Sequence, residues 1–490
     1  MENRINLDSN IINWYPFKEN AKIINVIDIS DLNEKFDYII INISNKNIDA
    51  KEVLIHAKDC LLDNGRIIII ANNKFGISNW VNNEIEISEL NDLTKNKIDN
   101  ILNELNFKYT KYYYIMPDIE NVNVIFTDNT MPNPENISRN LSMHFSKEVI
   151  KENENKLIQQ LIKNDKNSFK FFANSYFIEV SNDLVEDNNV NFVSFSNLRK
   201  EKYRIKTVVT KDKVYKNAAS IEAKEHIQNI KKNIDTIKNI GFNMLDNYEN
   251  DTIISKFVNE ETLDKELINL LNENNTDMFF NIINNFKEIL LKIPNGEFEN
   301  SVFEKYNINI EKGKKENLHF LKHGFWDLIF QNCFYIDNEF YFYDQEWYEE
   351  NVPLEFILYR AIIYLQNILD EKTKNEVLEK YNIVNFITEF KELDDKLQIE
   401  IRDEDVWKKH INYIEFKDLK KDYDEAKRLN EERMDVINFF KKENEDLRNQ
   451  VANFDNVMKE KDDIINRMIN SKSWKITEPI RKITGKFSKN

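Results

Sequence analysis

Residues 325–347 read "FWDLIFQNCFYIDNEFYFYDQEW", a mainly apolar stretch with a few polar residues at distinctive spacing. Asp327 and Asn332 stand five residues apart, and Asp344 follows after two short apolar runs joined by a polar turn. Runs of this kind predict a two-stranded β-hairpin. Because a hairpin returns the chain, Asp344 is predicted to lie close to Asn332. The alternative is three polar residues that only occupy turns.

The types and spacing of these residues suit one chemistry. Phosphoryl transfer needs a carboxylate to orient and deprotonate the acceptor hydroxyl, and an amide with a second carboxylate to hold Mg²⁺ on the phosphates. In kinases these groups occur in the order D-x-x-x-x-N, then a hairpin, then an Asp. The stretch resembles the choline kinase and aminoglycoside phosphotransferase branch, whose D-x-E is matched by Asp344 and Glu346. The resemblance implies Asp327 as the catalytic base, and Asn332, Asp344 and Glu346 on the metal side.

Two segments upstream extend this resemblance. "VYKNAASIEAKEHI", residues 214–227, places a lysine at the end of a third strand and a glutamate on the helix predicted for residues 220–240. These positions match the family's phosphate-binding lysine and its ion-pair partner. "SKFVNEETL", residues 255–263, resembles the hinge that contacts adenine. The resemblance therefore implies ATP and Mg²⁺ as cofactors, and implies as cofactor-binding residues Lys216, Glu222, Phe257, Val258, Asn259 and Glu260.

Two departures from the family pattern leave an alternative open. The turn "FSNLRKEK", residues 195–202, has no glycine to lie over a triphosphate, although Arg199 and Lys200 offer charge. His323-Gly324 stands two residues too early for the usual H-G-D. An inactive pseudokinase is the rival interpretation. We favour an active phosphotransferase because Lys216, Asp327, Asn332 and Asp344 occur in the expected order.

Glycine usage argues against a glycine-rich nucleotide loop elsewhere in the chain. The sequence has seven glycines, no two closer than eleven residues, so that it contains neither G-x-G nor a Walker loop. Residues 1–182 nevertheless alternate strand and helix patterns, which predicts an α/β domain with a parallel sheet. The predicted strands are 22–28, 37–43, 66–72, 108–115 and 122–128, and the predicted helices are 50–62 and 92–105.

This first domain also carries a resemblance. "NWYPFKENAKIINV", "LNEKFDYIII", "LLDNGRIIIIANNKFG" and "YYIMPD" resemble class I methyltransferase domains of bacterial surface-glycan loci. In that family a glycine-rich loop and an acidic ribose ligand lie between the first two predicted strands. In this sequence "INVIDISDLNEKFDY" connects the two strands directly, so that this segment is missing. We therefore expect a truncated Rossmann-like domain that is degenerate and does not bind S-adenosylmethionine. A working methyltransferase is the alternative.

A heptad pattern follows the kinase-like domain, which we assign to residues 191–412. Between residues 416 and 468, twelve of sixteen a and d positions are apolar, and Asn430 and Asn444 both fall at a. A buried amide at a is best paired with its equivalent in a parallel two-stranded coil. The g-to-e′ pairs have opposite charges, as in Glu443 with Arg448. Residues 415–470 are therefore predicted to form a parallel homodimeric coiled coil; one helix folded back on the body is the alternative.

The last segment, residues 471–490, is a basic amphipathic tail. It carries six basic groups and one acidic group, interleaved with residues such as Trp474 and Ile480. This composition suits the headgroup region of an anionic membrane. "SKSWKITEPIRKI" also resembles the tail that follows coiled coils in bacterial glycan-assembly enzymes. A docked structural end is the alternative.

Bulk composition sets further limits. At 490 residues the chain is long enough for about three domains. Its net charge of −17 disfavours nucleic acid as a partner. Two cysteines are too few for a disulfide framework, and the first ten residues lack the features of a secretion signal. We expect a cytoplasmic protein that is peripheral at the inner face of the cell membrane.

The order of these modules resembles the bifunctional O-antigen chain-terminating kinase-methyltransferases. The resemblance implies an ATP- and Mg²⁺-dependent phosphotransferase of surface-polysaccharide assembly that phosphorylates a sugar or glycan hydroxyl. Its expected partners are glycan-assembly enzymes or the nascent glycan, and a second copy of the chain. The two alternatives are an inactive scaffold that tethers a glycosyltransferase, and an S-adenosylmethionine-dependent methyltransferase.

Overall fold

The structure is a computed structural model that forms two compact units, residues 1–415 and 416–490. It describes residues 9–26, 34–44, 48–81, 92–134, 136, 149–150, 152–363, 365, 369–411 and 414–484. Residues 27–28 of the first predicted strand, and Lys486, Phe487 and Lys489 of the basic tail, lie outside this part of the chain. No helix in the described ranges combines the length and the apolar run that crossing a bilayer requires.

An eleven-stranded sheet runs through the first unit. Its first six strands in spatial order come from the first predicted domain, in the order β1-β2-β3-β7-β4-β5. All five strands predicted there are present. The strands of this half, including the short β6 outside the large sheet, are β1 Ile23–Val26, β2 Phe36–Asn42, β3 Leu61–Asn72, β4 Tyr109–Met116, β5 Val124–Thr127, β6 Val149–Ile150 and β7 Ser175–Ser181.

The predicted parallel direction holds only for β1, β2 and β3. Strands β7, β4 and β5 are antiparallel to their neighbours. A parallel connection needs a crossover of a dozen or more residues. Residues 117–123 between β4 and β5 are too few, so this pair can only be antiparallel.

The strands bury both faces of the sheet. Ile39 and Ile67 belong to one apolar cluster and their neighbours Ile40 and Ile68 belong to the other, as the two-residue period of a strand requires. Helices pack against the first face, and Trp14 and Tyr15 cover the second. The helices of this half are α1 Ala50–Asp59, α2 Ile77–Val81, α3 Lys95–Glu104, α4 Glu154–Asn164 and α5 Phe169–Phe172.

The sheet continues without a break into an antiparallel half, β8-β9-β10-β13-β12, because β5 pairs with β8. Helix α6, Lys224–Ile240, packs on it through Ile227, Ile230 and Ile234. The helix predicted from residue 220 begins only at Lys224, after a turn. The strands are β8 Val190–Phe195, β9 Ile205–Thr210, β10 Lys213–Ala218, β11 Asn243–Met244, β12 Asp246–Glu249 and β13 Thr252–Lys256; β11 pairs with the hairpin described next.

A mainly helical body follows and surrounds the predicted hairpin. The hairpin is present as β15, Cys333–Ile336, and β16, Glu339–Phe342. In this part of the chain an antiparallel sheet with one packed helix is followed by helices and the hairpin. The other elements are α7 Leu263–Asn272, α8 Thr276–Leu290, α9 Val302–Lys305, α10 Lys312–Lys315, β14 Phe320–Gly324, β17 Glu349–Pro353, α11 Leu354–Ile363, α12 Glu371–Lys380, α13 Ile387–Ile401, α14 Glu404–Ile411 and β18 Ile414–Glu415.

The second unit is dominated by one helix of 55 residues, α15, Phe416–Asn470. Two short helices follow it, α16 Lys472–Ile476 and α17 Glu478–Thr484. The absence of glycine and proline between residues 416 and 470 leaves this helix without a backbone breaker.

Candidate active site

A cavity of about 660 Å³ lies in the first unit, between the antiparallel half of the sheet and the hairpin. Lys216 of β10 and the loop after β8 line one side, and Phe334 and Tyr343 line the other. Asp344 and Glu346, which follow the hairpin, also line it. The cavity therefore gathers cationic and carboxylate side chains from segments that are far apart in the sequence.

Lys216 pairs with the carboxylates that follow the hairpin. Its ammonium forms an ion pair with Asp344, and Nζ lies 3.7 Å from Glu346 Oε1. Burial alone would lower the pKa of Lys216, but the two carboxylates outweigh it and raise the pKa above its ordinary value. The lysine thus stays charged inside the cavity.

The backbone after the hairpin is held in an unusual conformation. Asp344 has a φ of +60°, in the left-handed region that aspartate tolerates better than most residues. Its backbone N–H donates to Asp246 Oδ2 at 2.7 Å, and Asp246 also accepts from the Ser255 hydroxyl. Asp246 is buried on β12. These contacts fix the direction in which the Asp344 carboxylate leaves the chain.

Glu346 is the most strongly paired carboxylate of the site. It forms an ion pair with Arg199, and its Oε2 lies 3.3 Å from His226 Nε2. Burial would raise the pKa of Glu346, but Arg199, His226 and Lys216 hold it well below the ordinary range. For Asp344 burial prevails and raises the pKa to about 6. The two carboxylates of the D-x-E therefore have opposite shifts.

Asp327 and Asn332 adjoin this cluster without lining the cavity. Asn332 Nδ2 donates to the carbonyl oxygen of Asp327 at 3.2 Å and to that of Asp344 at 3.5 Å. Asp327 Oδ1 lies 3.6 Å from Arg360 Nη2. Burial raises the pKa of Asp327 to about 7, against the opposing effect of Arg360. The hairpin thus returns the chain so that residues 327, 332 and 344 come into one neighbourhood.

The remaining predicted residues are placed differently. Glu222 is exposed in the turn before α6, and Lys216 pairs instead with Asp344 and Glu346. In the hinge, Phe257 and Val258 line the cavity, whereas Asn259 and Glu260 are exposed and are not among its lining residues. The predicted ion pair between Lys216 and Glu222 is therefore not present in this structure.

The sequence reasoning missed two polar residues on α6. His226 faces Glu346, and Asn233 Nδ2 donates to the carbonyl oxygens of Gln345 and Glu346, both at 3.2 Å. Both residues are buried and stand seven positions apart, two turns along one helix face. Polar residues on the apolar face of an amphipathic helix were the signal that could have identified them.

The donor set fits a hard cation. The amide of Asn332 and the carboxylate of Asp344 offer oxygen ligands, which Mg²⁺ prefers. Within the described ranges no group of three or more His, Cys, Asp or Glu side chains has the arrangement of a metal site. Phosphate oxygens and water are the other ligands that Mg²⁺ commonly takes.

Two solved structures are similar to part of the chain. One is a streptomycin–ATP–APH(2″)-IIa ternary complex, with 13% identity, a TM-score of 0.22, and coverage of 43% of this chain and 92% of the other. The second is ADP-bound aminoglycoside phosphotransferase APH(2″)-Ib, with 12% identity, a TM-score of 0.21, and coverage of 46% and 94%. Neither a protein-family model nor a curated protein matches the chain. Likeness at these TM-scores supports no conclusion about this chain.

Proposed function

We propose that this protein is a phosphotransferase that moves the terminal phosphoryl group of ATP to a hydroxyl of a sugar or glycan. One observation carries the proposal. Lys216, Asp344 and Glu346 meet in a single cavity, and Asn332 and Asp327 lie directly beside them. These are the residue types that phosphoryl transfer requires for phosphate binding, cation binding and proton transfer.

Each residue has a role in the proposed reaction. The acceptor oxygen attacks the terminal phosphorus while its proton passes to Asp327, and the bond to the bridging oxygen breaks to release ADP. A pKa of about 7 suits Asp327 to accept that proton near neutral pH. Lys216 pairs with phosphate oxygens. Phe257 and Val258 border the part of the cavity assigned to the adenine ring of ATP.

Mg²⁺ would be held by Asn332 and Asp344, and it would neutralise charge on the phosphates. Glu346 lies two residues after Asp344, and it stays ionised because cationic side chains pair with it. It therefore supplies a secondary acidic contact that keeps Lys216 in the cavity.

Ligand binding tests this proposal. ATP with MgCl₂ is expected to raise the melting temperature, because a ligand that binds only the native state stabilises it, by about 2.7 kcal/mol at a hundredfold excess over Kd. The shift is expected to disappear in Lys216→Met and to lose its magnesium dependence in Asp344→Asn. Lys213→Met is the matched control, because Lys213 is exposed on the same strand. No shift of the wild-type protein at millimolar nucleotide would refute the phosphotransferase.

A catalytically inactive scaffold is the second candidate. It is favoured by the absence of glycine in the loop after β8 and by the ion pairs that Lys216 and Arg199 already make with Asp344 and Glu346. A scaffold would keep its fold and partners but would show no magnesium-dependent nucleotide binding. The melting experiment therefore separates the two candidates.

The biological setting belongs to the same proposal. Residues 1–182 form a degenerate methyltransferase-like domain without bound S-adenosylmethionine, and residues 191–412 form the phosphotransferase. The chain dimerises through residues 416–468, and its basic tail contacts the inner face of the cell membrane during surface-polysaccharide assembly. The alternative of methyl transfer is tested by calorimetry of the whole protein with S-adenosylmethionine, for which we expect no binding heat.

A further inference from the structure

The loop between β8 and β9 faces the cavity without any glycine. Residues 196–204 read "SNLRKEKYR". Glycine lets a backbone approach phosphates closely and supply N–H donors. A loop without glycine is less able to bring its backbone close to phosphates, so a charged side chain becomes the favoured phosphate donor on this side of the cavity.

Arg199 is a cationic residue of this loop that lines the cavity. Its guanidinium forms the ion pair with Glu346 and lies 5.3 Å from the centre of the Trp347 ring. Arg199 and Lys216 both line the cavity and both contact Glu346. Two cations thus point into one space from neighbouring segments of the sheet.

The backbone that carries Arg199 is held from outside the sheet. Asp403 N donates to Leu198 O at 2.9 Å, and Lys200 N donates to Ile401 O at 2.8 Å. Arg204 reinforces both contacts: its Nε donates to Arg199 O at 2.9 Å, and its Nη2 lies 3.2 Å from Asp403 Oδ2. Residues 401–403 therefore fix the loop on both sides of Arg199.

We propose that Arg199 binds the β- and γ-phosphates of the nucleotide and replaces the contacts that a glycine-rich loop would give. This inference rests on the proposed function. When nucleotide enters, the guanidinium exchanges the Glu346 carboxylate for phosphate oxygens, which it can bind in the same two-pronged geometry. Glu346 keeps Lys216 and His226 as partners, so the exchange leaves no buried carboxylate unpaired. Because the loop is anchored, little backbone ordering opposes binding.

If Arg199 contacts the phosphates, its replacement should weaken the binding of ATP but not the binding of adenosine. Arg199→Gln is expected to weaken ATP binding about 10- to 100-fold, the value of one charge-assisted hydrogen bond. Adenosine, which has no phosphate, is expected to bind Arg199→Gln as it binds the wild-type protein. Arg199→Lys keeps the charge but loses the planar fork, so its ATP affinity is expected to lie between the two.

Calorimetry of the full chain with ATP and with adenosine tests this, with Lys202→Gln as the matched control. Lys202 is an exposed cation of the same loop, so its loss changes net charge equally. Unchanged ATP affinity in Arg199→Gln, or an equal loss of adenosine and ATP affinity, would overturn the role of Arg199 and leave the phosphotransferase standing. A wild-type protein that binds no ATP would overturn both.

Discussion

Asp327 determines, at the scale of single residues, how the proposed reaction depends on pH. Burial raises its pKa to about 7, and the base must be deprotonated to accept the proton. Magnesium-dependent turnover of ATP to ADP, with water replacing the acceptor, is therefore expected to fall about tenfold per pH unit below pH 7. A pH profile of kcat/KM between pH 5 and 9 measures this.

Two variants identify the group that titrates. Asp327→Asn removes the base, so the residual rate is expected to lose its acid limb. Arg360→Gln removes the cation that lowers the pKa of Asp327, so the limb is expected to move to higher pH. An acid limb that persists unchanged in Asp327→Asn would assign the titration to another residue.

At the scale of elements, Asp246 joins the sheet to the end of the hairpin. It stands on β12, accepts from Ser255 of β13, and accepts from the backbone N–H of Asp344 after β16. Asp246→Leu leaves that N–H without its acceptor, which costs about 1–3 kcal/mol when the donor is buried. Asp246→Asn keeps an acceptor oxygen, and its amide can donate to the Ser255 hydroxyl. We therefore expect the leucine variant to be less stable and the asparagine variant to be close to wild type.

Denaturant unfolding measures this difference. Glu249→Leu is the matched control, because Glu249 is exposed on the same strand and its replacement should leave the free energy of unfolding within about 0.5 kcal/mol. The leucine variant is also expected to bind ATP with Mg²⁺ less tightly, since Asp344 is no longer fixed. Equal stabilities of the leucine and asparagine variants would show that the contact with Asp344 contributes nothing.

Local patterns explain which elements the sequence could predict. Two apolar runs with a polar turn between them identified the hairpin, and the spacing of residues 327, 332 and 344 placed them near one another. Each of these inferences depends on residues close in the chain. The ion-pair partners of Lys216 could not be inferred in this way. Helix α6 begins two residues after Glu222, and the carboxylates that pair with the lysine lie more than a hundred residues away in the sequence.

Long-range pairing also decided the direction of the strands in the first half of the sheet. Alternation of strands and helices predicted a parallel sheet, and β1, β2 and β3 follow it. Strand β7, however, lies between β3 and β4 although it comes later in the sequence. Insertion of a distant strand leaves no local signal, because β3, β4 and β7 all contribute buried apolar residues to both faces of the sheet.

At the scale of the whole molecule, the second unit leaves apolar side chains exposed along α15. Exposed fractions of 45–64% are found at the predicted core positions Ile437, Phe440, Leu447, Val451 and Phe454. Such an apolar seam stabilises a helix only when it packs against another surface. A second copy of the chain could cover this seam, and the parallel dimer stays a prediction.

Two adjacent phenylalanines offer a matched test of the dimer. Phe440 falls at a d position and Phe439 at c, and both are exposed in the single chain, by 55% and 65%. Phe440→Asp would place two carboxylates in the seam, which is expected to weaken dimerisation by about 2 kcal/mol or more. Phe439→Asp lies outside the seam and is expected to leave a dimer. Light scattering of the full chain after size exclusion measures both, and equal behaviour of the two variants would reject the predicted register.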